Sequence, residues 1–461
     1  MNAVTLDPSI LRAYDIRGIY DQSLRAADAI AIGRAFAACL TDKSLGKKVI
    51  VGRDGRLSSP TLAKALIEGL VDGGADVTDI GCGPTPMLYF AAAHLNADGA
   101  IQVTGSHNPP THNGFKMVMG GKSFFGPEIT SLGALCAKGV SSQNGGKCVS
   151  KSVFDDYVNR LLHSADAGNL SVIWDCGNGA SGPVTDAVVD RLTGKHEVLF
   201  SKIDGTFPNH HPNPVDPKTL QILRAAVKSG KADLGIGFDG DGDRIGVIDS
   251  KGRQVPGDLL TAYLAQDIAK RHPGSTMLLD VKSSQLAVNM LSASGANAKI
   301  WKTGHSHMKK RMAETGSLLA GEMSGHIFIA DNYFGFDDAI YVALRILTQT
   351  VRTGQSITDF LDSLPDQYAT PELRIDCADD RKFTIMKKLQ SIVAQQYAPD
   401  AINTIDGIRV TVPSGWWLIR ASNTEAALVA RAEAASQDAL DQLILQIETA
   451  LASAGLSSCL S

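Results

Sequence analysis

The sequence lacks the features that would tie it to a disulfide scaffold, to nucleic acid or to a membrane. Its seven cysteines (Cys39, Cys82, Cys136, Cys148, Cys176, Cys377 and Cys459) are scattered, with no CxxC or CxxxC spacing. An odd, dispersed set of thiols in a long chain argues against a disulfide framework and a clustered zinc site. Neither charge sign dominates: 44 Lys+Arg stand against 48 Asp+Glu, a formal net charge of -4. That balance supplies no basic field for nucleic acid or an anionic membrane, so any anion site has to be built locally. Long apolar runs are also missing, and Asp28 and Arg34 interrupt the most apolar early segment. The N-terminus has no basic stretch leading into an apolar one, so a cytoplasmic protein is expected, with no obligate protein partner indicated.

What is present is enough material for several cores. The 461 residues are 44% hydrophobic and 20% charged, and at roughly 150 residues per domain the length allows three or four. From Lys48 the chain reads KVIVGRDGRLSSPTLAKALIEGLVDGGADVTDI: an apolar strand, a Gly/Ser/Pro loop, a helix with Leu62, Leu66 and Leu70 in register, a stop at Gly73 and Gly74, then a second strand. SVIWDCGNGASGPVTDAVVDRL (171–192) and TMLLDVKSSQLAVNMLSASGANAKIW (276–301) repeat that pattern. Each unit then ends in an apolar strand running into a polar loop, ADGAIQVTGSHNP, ADLGIGFDGDGDR or SLLAGEMSGH. The expected fold is α/β: three related α/β domains with mixed, largely parallel sheets, plus a smaller C-terminal α+β domain, around one central cleft. Ligands collect at the carboxyl ends of strands in such sheets, so the three loops are expected to line that cleft. The expected domains are 1–150, 151–252, 253–367 and 368–461. In the last, strands are expected at 405–412, 416–420 and 427–432. Trp416 and Trp417 are expected to face opposite ways and pack.

The loops carry recognisable chemistry. In FDGDGDR, Asp239, Asp241 and Asp243 crowd three carboxylates into one turn, repulsive unless a cation joins them; a hard ion such as Mg²⁺ suits the set. Ser106 in TGSHNPP is a possible nucleophile on a loop stiffened by Pro109 and Pro110. Thr104 and Asn108 occupy the positions where an esterase elbow needs glycine, which leaves an esterase triad little support. His107 either orients that loop or handles a proton, though a sequence-adjacent histidine usually points elsewhere. Glu322, Ser324 and His326 in GEMSGH offer an acceptor, a hydroxyl and an imidazole suited to sugar hydroxyls. RASNT (420–424) combines Arg420, Ser422, Asn423 and Thr424 with free backbone N–H groups, the makings of a phosphate cradle.

Taken in order, TGSHNP, DGDGDR, GEMSGH and RASNTE resemble the motifs of the α-D-phosphohexomutases over essentially the whole chain. The nearest pattern is that of the bacterial phosphomannomutase/phosphoglucomutase group, since Met323 stands where phosphoglucosamine mutases have Gln (GEQSGH). One departure is Ala426, where the family often has Pro after the Glu of the last motif.

The resemblance implies that Ser106 is carried as phosphoserine and that its phosphate joins Asp239, Asp241 and Asp243 around Mg²⁺. It assigns sugar contacts to Glu322 and Ser324, and the distal phosphate to Arg420, Ser422, Asn423 and Thr424. Tyr14 and Arg17 in AYDIRG, Lys116 in NGFKM, Arg244, Lys282 in DVKSS and His305 in KTGHS fill similar family positions, Lys116 being the candidate for proton transfer. The implied activity is reversible phosphoryl transfer between positions 1 and 6 of a hexose phosphate, with glucose 1,6-bisphosphate as intermediate and activator. Alternatives are a phosphoglucosamine mutase, a Mg²⁺-dependent sugar-phosphate phosphohydrolase and a non-catalytic sugar-phosphate binding protein.

Overall fold

The computed structural model describes residues 3–143, 145–423 and 426–456. Four sheets account for its strands, and three of them repeat one plan. In the first, strand Lys48–Arg53 lies between two parallel neighbours, Asp76–Cys82 and Gly99–Val103, and His112–Met119 then adds antiparallel to the latter. Ser171–Asp175 is flanked in the same way by Lys195–Leu199 and Leu234–Phe238, with Ile245–Asp249 antiparallel beyond. Thr276–Asp280 lies between Asn297–Trp301 and Leu319–Gly321, followed by antiparallel Ile327–Ile329. The three polar loops singled out in the sequence are therefore one topological feature, the link from third to fourth strand of each repeat.

Local chemistry explains the units. In the first, the helix Ser59–Asp72 opens with Pro60 in its first turn, and Leu62, Leu66 and Leu70 are fully buried. In the third, Ser284 caps the helix Gln285–Ala293 by accepting from the Leu286 N–H. Each repeat's first strand also leads into an aspartate: Asp54, Asp175 and Asp280, all buried. A continuous apolar core runs from Ile50 and Phe90 through Trp174 and Phe238 to Leu279 and Ile346, joining the three repeats.

The fourth domain is an antiparallel sheet under two helices, Asp379–Gln396 and Gln437–Ala454. Its main strands are Ile408–Val412, Gly415–Ala421 and Ala427–Ala434, close to the expected stretches. Short strands at Tyr368–Ala369, Leu373–Asp376 and Ile402–Asn403 complete it, too brief for periodicity to reveal. Trp416 and Trp417 do face opposite ways. Trp417 lies in this domain's own core, whereas Trp416 meets Val281 of the third domain and stacks under the Arg409 guanidinium at 3.8 Å.

Candidate active site

Ser106 has a φ of 48°, a left-handed conformation uncommon outside glycine. The loop around it is held from inside by Arg56, a side chain only 1% exposed. The Arg56 Nη2 donates to the carbonyls of Ser106 and Asn108, both at 2.6 Å, and Nη1 to those of Pro109 and His112 at 2.6 and 3.0 Å. Asp54 sets the other side, accepting from Thr104 Oγ1 at 2.8 Å and the Gly105 N–H at 3.1 Å. Replacing Arg56 by Lys keeps the charge but not the fork that spans four carbonyls. The expected result is a loss of about 3 kcal/mol of stability, from acceptors left unpaired, together with lower activity. Urea unfolding followed alongside activity checks this, and a wild-type midpoint would contradict it.

Ser106 Oγ donates to Asp239 Oδ2 at 2.8 Å, so the serine of the first repeat touches the carboxylate loop of the second. Two glycines make that possible. A Cβ on Gly240 would lie 2.5 Å from the Ser106 carbonyl oxygen, and Gly242 has a φ of 73°. His107 does not point elsewhere: its Nδ1 lies 3.1 Å from Ser106 Oγ. Strict alternation of neighbouring side chains holds only in extended backbone, and residue 106 is left-handed. Burial, aided by Arg244 and Arg17, holds the His107 imidazole well below its usual range, so it is neutral.

Asp239, Asp241 and Asp243 are buried, and each offers an oxygen within 4.8 Å of the others. Burial and the neighbouring carboxylates Asp241 and Asp243 push Asp239 well up. Asp243 is raised by burial and by Asp241. Asp241 is held low in spite of its burial because Lys116 and Thr85 bind it, at 2.8 and 2.5 Å. Asp241 Oδ1 and Asp243 Oδ1 are buried without a hydrogen-bond partner. Hard oxygen donors with orphaned lone pairs fit a divalent metal ion.

Lys116, the candidate for proton transfer, points at the carboxylate loop. Only 3% exposed, it bonds Asp241 and Asp243. Burial would lower its pKa, but the three carboxylates overrule burial and hold it as an ammonium. Arg17 braces the serine loop from the first strand of the chain, donating to Asn108 Oδ1 at 2.6 Å and the Gly105 carbonyl at 3.1 Å.

Asp280 ties the third repeat's loops together. It accepts from Ser283 Oγ at 2.6 Å, Thr303 Oγ1 at 3.0 Å and the Met323 N–H at 3.3 Å, fixing the segments that bear Lys282, His305 and Glu322. Glu322 accepts from the Gly304 N–H at 2.5 Å and from Ser324 Oγ at 3.1 Å, and burial pushes its carboxyl up. His305 is buried with its Nδ1 unpartnered, and burial beside Lys309 holds it well below the usual histidine range. Both nitrogens of His326 face protein groups: Nε2 accepts from Arg244 Nε at 2.9 Å, and Nδ1 lies 2.9 Å from Asp337.

In the fourth domain Arg420 is 5% exposed and bonds Asp406 through Nε at 3.1 Å, while its Nη2 has no partner. Asn423 donates to the Tyr14 hydroxyl, and Ser422 is buried. Thr424, and Glu425 after it, lie outside the described residues. Lys282 reaches across to Glu372 at 2.9 Å. A cleft of about 1110 Å³ is lined by parts of all four segments, among them Tyr14, Arg17, Ser106, His107, Lys116, Arg244, Lys282, His305, Glu322, Ser324, His326, Arg420, Ser422 and Asn423. Asp239, Asp241 and Asp243 stand just behind Ser106 and Lys116. Sequence reasoning missed Arg56, Thr85, Asp337 and Asp406. It also missed Asp54 and Asp280, although an aspartate after the first strand of every repeat was a visible signal.

The comparisons with known proteins agree with this geometry. Four phosphoglucomutase/phosphomannomutase family models match in order: alpha/beta/alpha domain I at residues 8–138, domain II at 155–252, domain III at 256–368 and the C-terminal domain at 372–450. A phosphomannomutase/phosphoglucomutase of Pseudomonas putida is 43% identical over 442 residues, covering 95% of this chain and 94% of the relative. A phosphoglucomutase of Neisseria gonorrhoeae is 39% identical, with 96% of both chains covered. The crystal structure of a phosphoglucomutase/phosphomannomutase family protein from Burkholderia thailandensis superposes with a TM-score of 0.91 at 38% identity, covering 99% of each chain. Sequence motifs, repeated sheets, shared cleft and full-length relatives converge, and the chain belongs to the phosphoglucomutase/phosphomannomutase family.

Proposed function

We propose that the protein interconverts the 1-phosphate and 6-phosphate of a hexose, glucose or mannose, through phosphoserine at Ser106 and a hexose 1,6-bisphosphate. The observation that carries this reading is a single cleft lined at once by Ser106, Glu322 and Arg420. A hexose phosphate has a reacting hydroxyl, ring hydroxyls and a distant phosphate, and those three groups answer to them. In this reading the segments 1–150, 151–252, 253–367 and 368–461 supply the serine, the metal ligands, the sugar contacts and the distal phosphate site.

Asp239, Asp241 and Asp243 would hold Mg²⁺ with the Ser106 phosphate, and the ion would offset phosphoryl charge when bound. The chain's own residues do the rest. Arg56 and Arg17 fix the loop that presents Ser106, Lys116 places a cation or a proton beside the transferred group, and neutral His107 adjoins the serine oxygen. Glu322, Ser324 and His305 face the sugar, with His326 and Arg244 behind them and Lys282 beside. Arg420, Ser422 and Asn423, with Thr424, grip the distal phosphate, and Tyr14 supports them. The bisphosphate then turns around so that its other phosphate returns to Ser106, which requires one cradle to accept either end. Water competes as acceptor, so the cleft must exclude it before transfer. A cytoplasmic location belongs to this reading, since charged sugar phosphates do not cross membranes unaided; among the described residues no helix is long and apolar enough to span one.

The deciding assay supplies glucose 1-phosphate with catalytic glucose 1,6-bisphosphate. Glucose 6-phosphate without free phosphate is expected; released phosphate would favour a phosphohydrolase, neither product a binding protein, and turnover confined to glucosamine phosphates a phosphoglucosamine mutase. Arg420→Ala is expected to raise KM and lower kcat, by roughly tenfold or more in kcat/KM, because a bidentate charge-assisted grip is lost. Arg420→Lys should recover part of that loss, since an ammonium cannot form the fork. Wild-type kinetics in Arg420→Ala would remove the distal cradle from this region.

A further inference from the structure

Three domains meet at one residue of the third repeat. Thr303 accepts from the Tyr14 hydroxyl through its carbonyl at 2.8 Å, donates its own hydroxyl to Asp280 at 3.0 Å, and donates its N–H to Asp406 at 3.0 Å. The same Asp406 oxygen takes Arg420 Nε at 3.1 Å. Asp406 lies between the strands Ile402–Asn403 and Ile408–Val412, and Ile408 pairs with Ile419, so it sits beside Arg420 at the end of the fourth-domain sheet.

We propose that Asp406 is a positioning residue that couples the distal phosphate site of the fourth domain to the sugar-facing loops of the third. The proposal rests on the hexose phosphate reading above and names a residue that reading does not use. One carboxylate oxygen fixes Arg420 by Nε, leaving its terminal nitrogens for a ligand, and Nη2 is buried without a partner. It also fixes the backbone one residue before Gly304, whose N–H bonds Glu322, and two before His305. Seating a phosphate on Arg420 thereby favours the arrangement in which Glu322 and His305 line the cleft.

The charge of Asp406 makes this a sharp claim. A carboxylate beside a phosphate site repels the ligand, so a purely electrostatic part predicts tighter phosphate binding once it is removed. A positioning part predicts weaker binding, because Arg420 loses its fixed geometry and the 303–305 backbone loses its tie to the fourth domain.

The test uses full-length protein in two arms. In a Ser106→Ala background, which holds substrate without turning it over, calorimetry measures glucose 6-phosphate and, separately, inorganic phosphate. Asp406→Ala is expected to weaken glucose 6-phosphate binding about tenfold, the scale of one charge-assisted hydrogen bond. Asp406→Asn, which keeps the shape and an acceptor oxygen, should lose less. Added to Arg420→Ala, Asp406→Ala should cause little further loss, because the two act as one unit. In the active enzyme, Asp406→Ala should raise KM more than it lowers kcat, and should increase the phosphate released per isomerisation. Unchanged or tighter binding, or full additivity with Arg420→Ala, would overturn the proposal. Binding with the expected pattern but no isomerisation by the wild-type chain would leave the coupling standing and overturn the mutase reading instead.

Discussion

Ser106→Ala is expected to reduce turnover by roughly a thousandfold or more while leaving the protein folded, because it deletes the hydroxyl proposed as the covalent carrier. The stability cost should be small. Ser106 contributes one side-chain donor to Asp239, and its backbone is held independently by Thr104 and Arg56. A lost hydrogen bond of that kind is worth about 1 kcal/mol. Circular dichroism, a thermal melt and a kinetic assay on the same preparation check the pair of claims. An unfolded variant would mean that the loop is structural first, and an active one that the nucleophile lies elsewhere.

Asp241→Asn is the second large effect. The substitution preserves shape and the Thr85 contact but removes the negative charge that Lys116 binds and that a metal ion would share. Affinity for Mg²⁺ is expected to fall by at least about tenfold, taking the loss from a supporting residue as the lower bound for a direct ligand. Turnover should fall with it and recover in part at high Mg²⁺. Binding of glucose 6-phosphate should change far less, because the residues proposed to face the sugar belong to another repeat. Titrating activity against Mg²⁺ in both proteins gives the answer. An unchanged metal requirement would remove the DGDGD loop as the metal site.

The three repeats were legible because the strand, polar loop and helix rhythm is local and recurs at full length. That the three repeat loops share one cleft followed from position, each at the carboxyl end of a third strand, whereas their chemistry was read from their residues and from the family motifs. What stayed hidden depended on contacts across long separations. Arg56 reads as a solvated charge, because the four carbonyls that its guanidinium bonds and the Asp54 carboxylate beside its Nε come together only in the fold. The direction of His107 turned on a single left-handed residue beside it. Lys116 needed the carboxylates of a different repeat to explain its burial. Asp406 acts on Thr303, more than a hundred residues away, and Tyr14 meets Asn423 from the opposite end of the chain. The short strands of the fourth domain were missed for another reason: two to four residues are too few to display alternation.

The central claim is that phosphoryl groups pass through Ser106. The most direct measurement is peptide mapping by mass spectrometry of fully active protein, before and after incubation with isotopically labelled glucose 1,6-bisphosphate. The account predicts a phosphoryl group on the peptide containing Ser106, and its replacement by label within the turnover time. Fully active protein with an unmodified, unlabelled Ser106, or with label only at other residues, would contradict it.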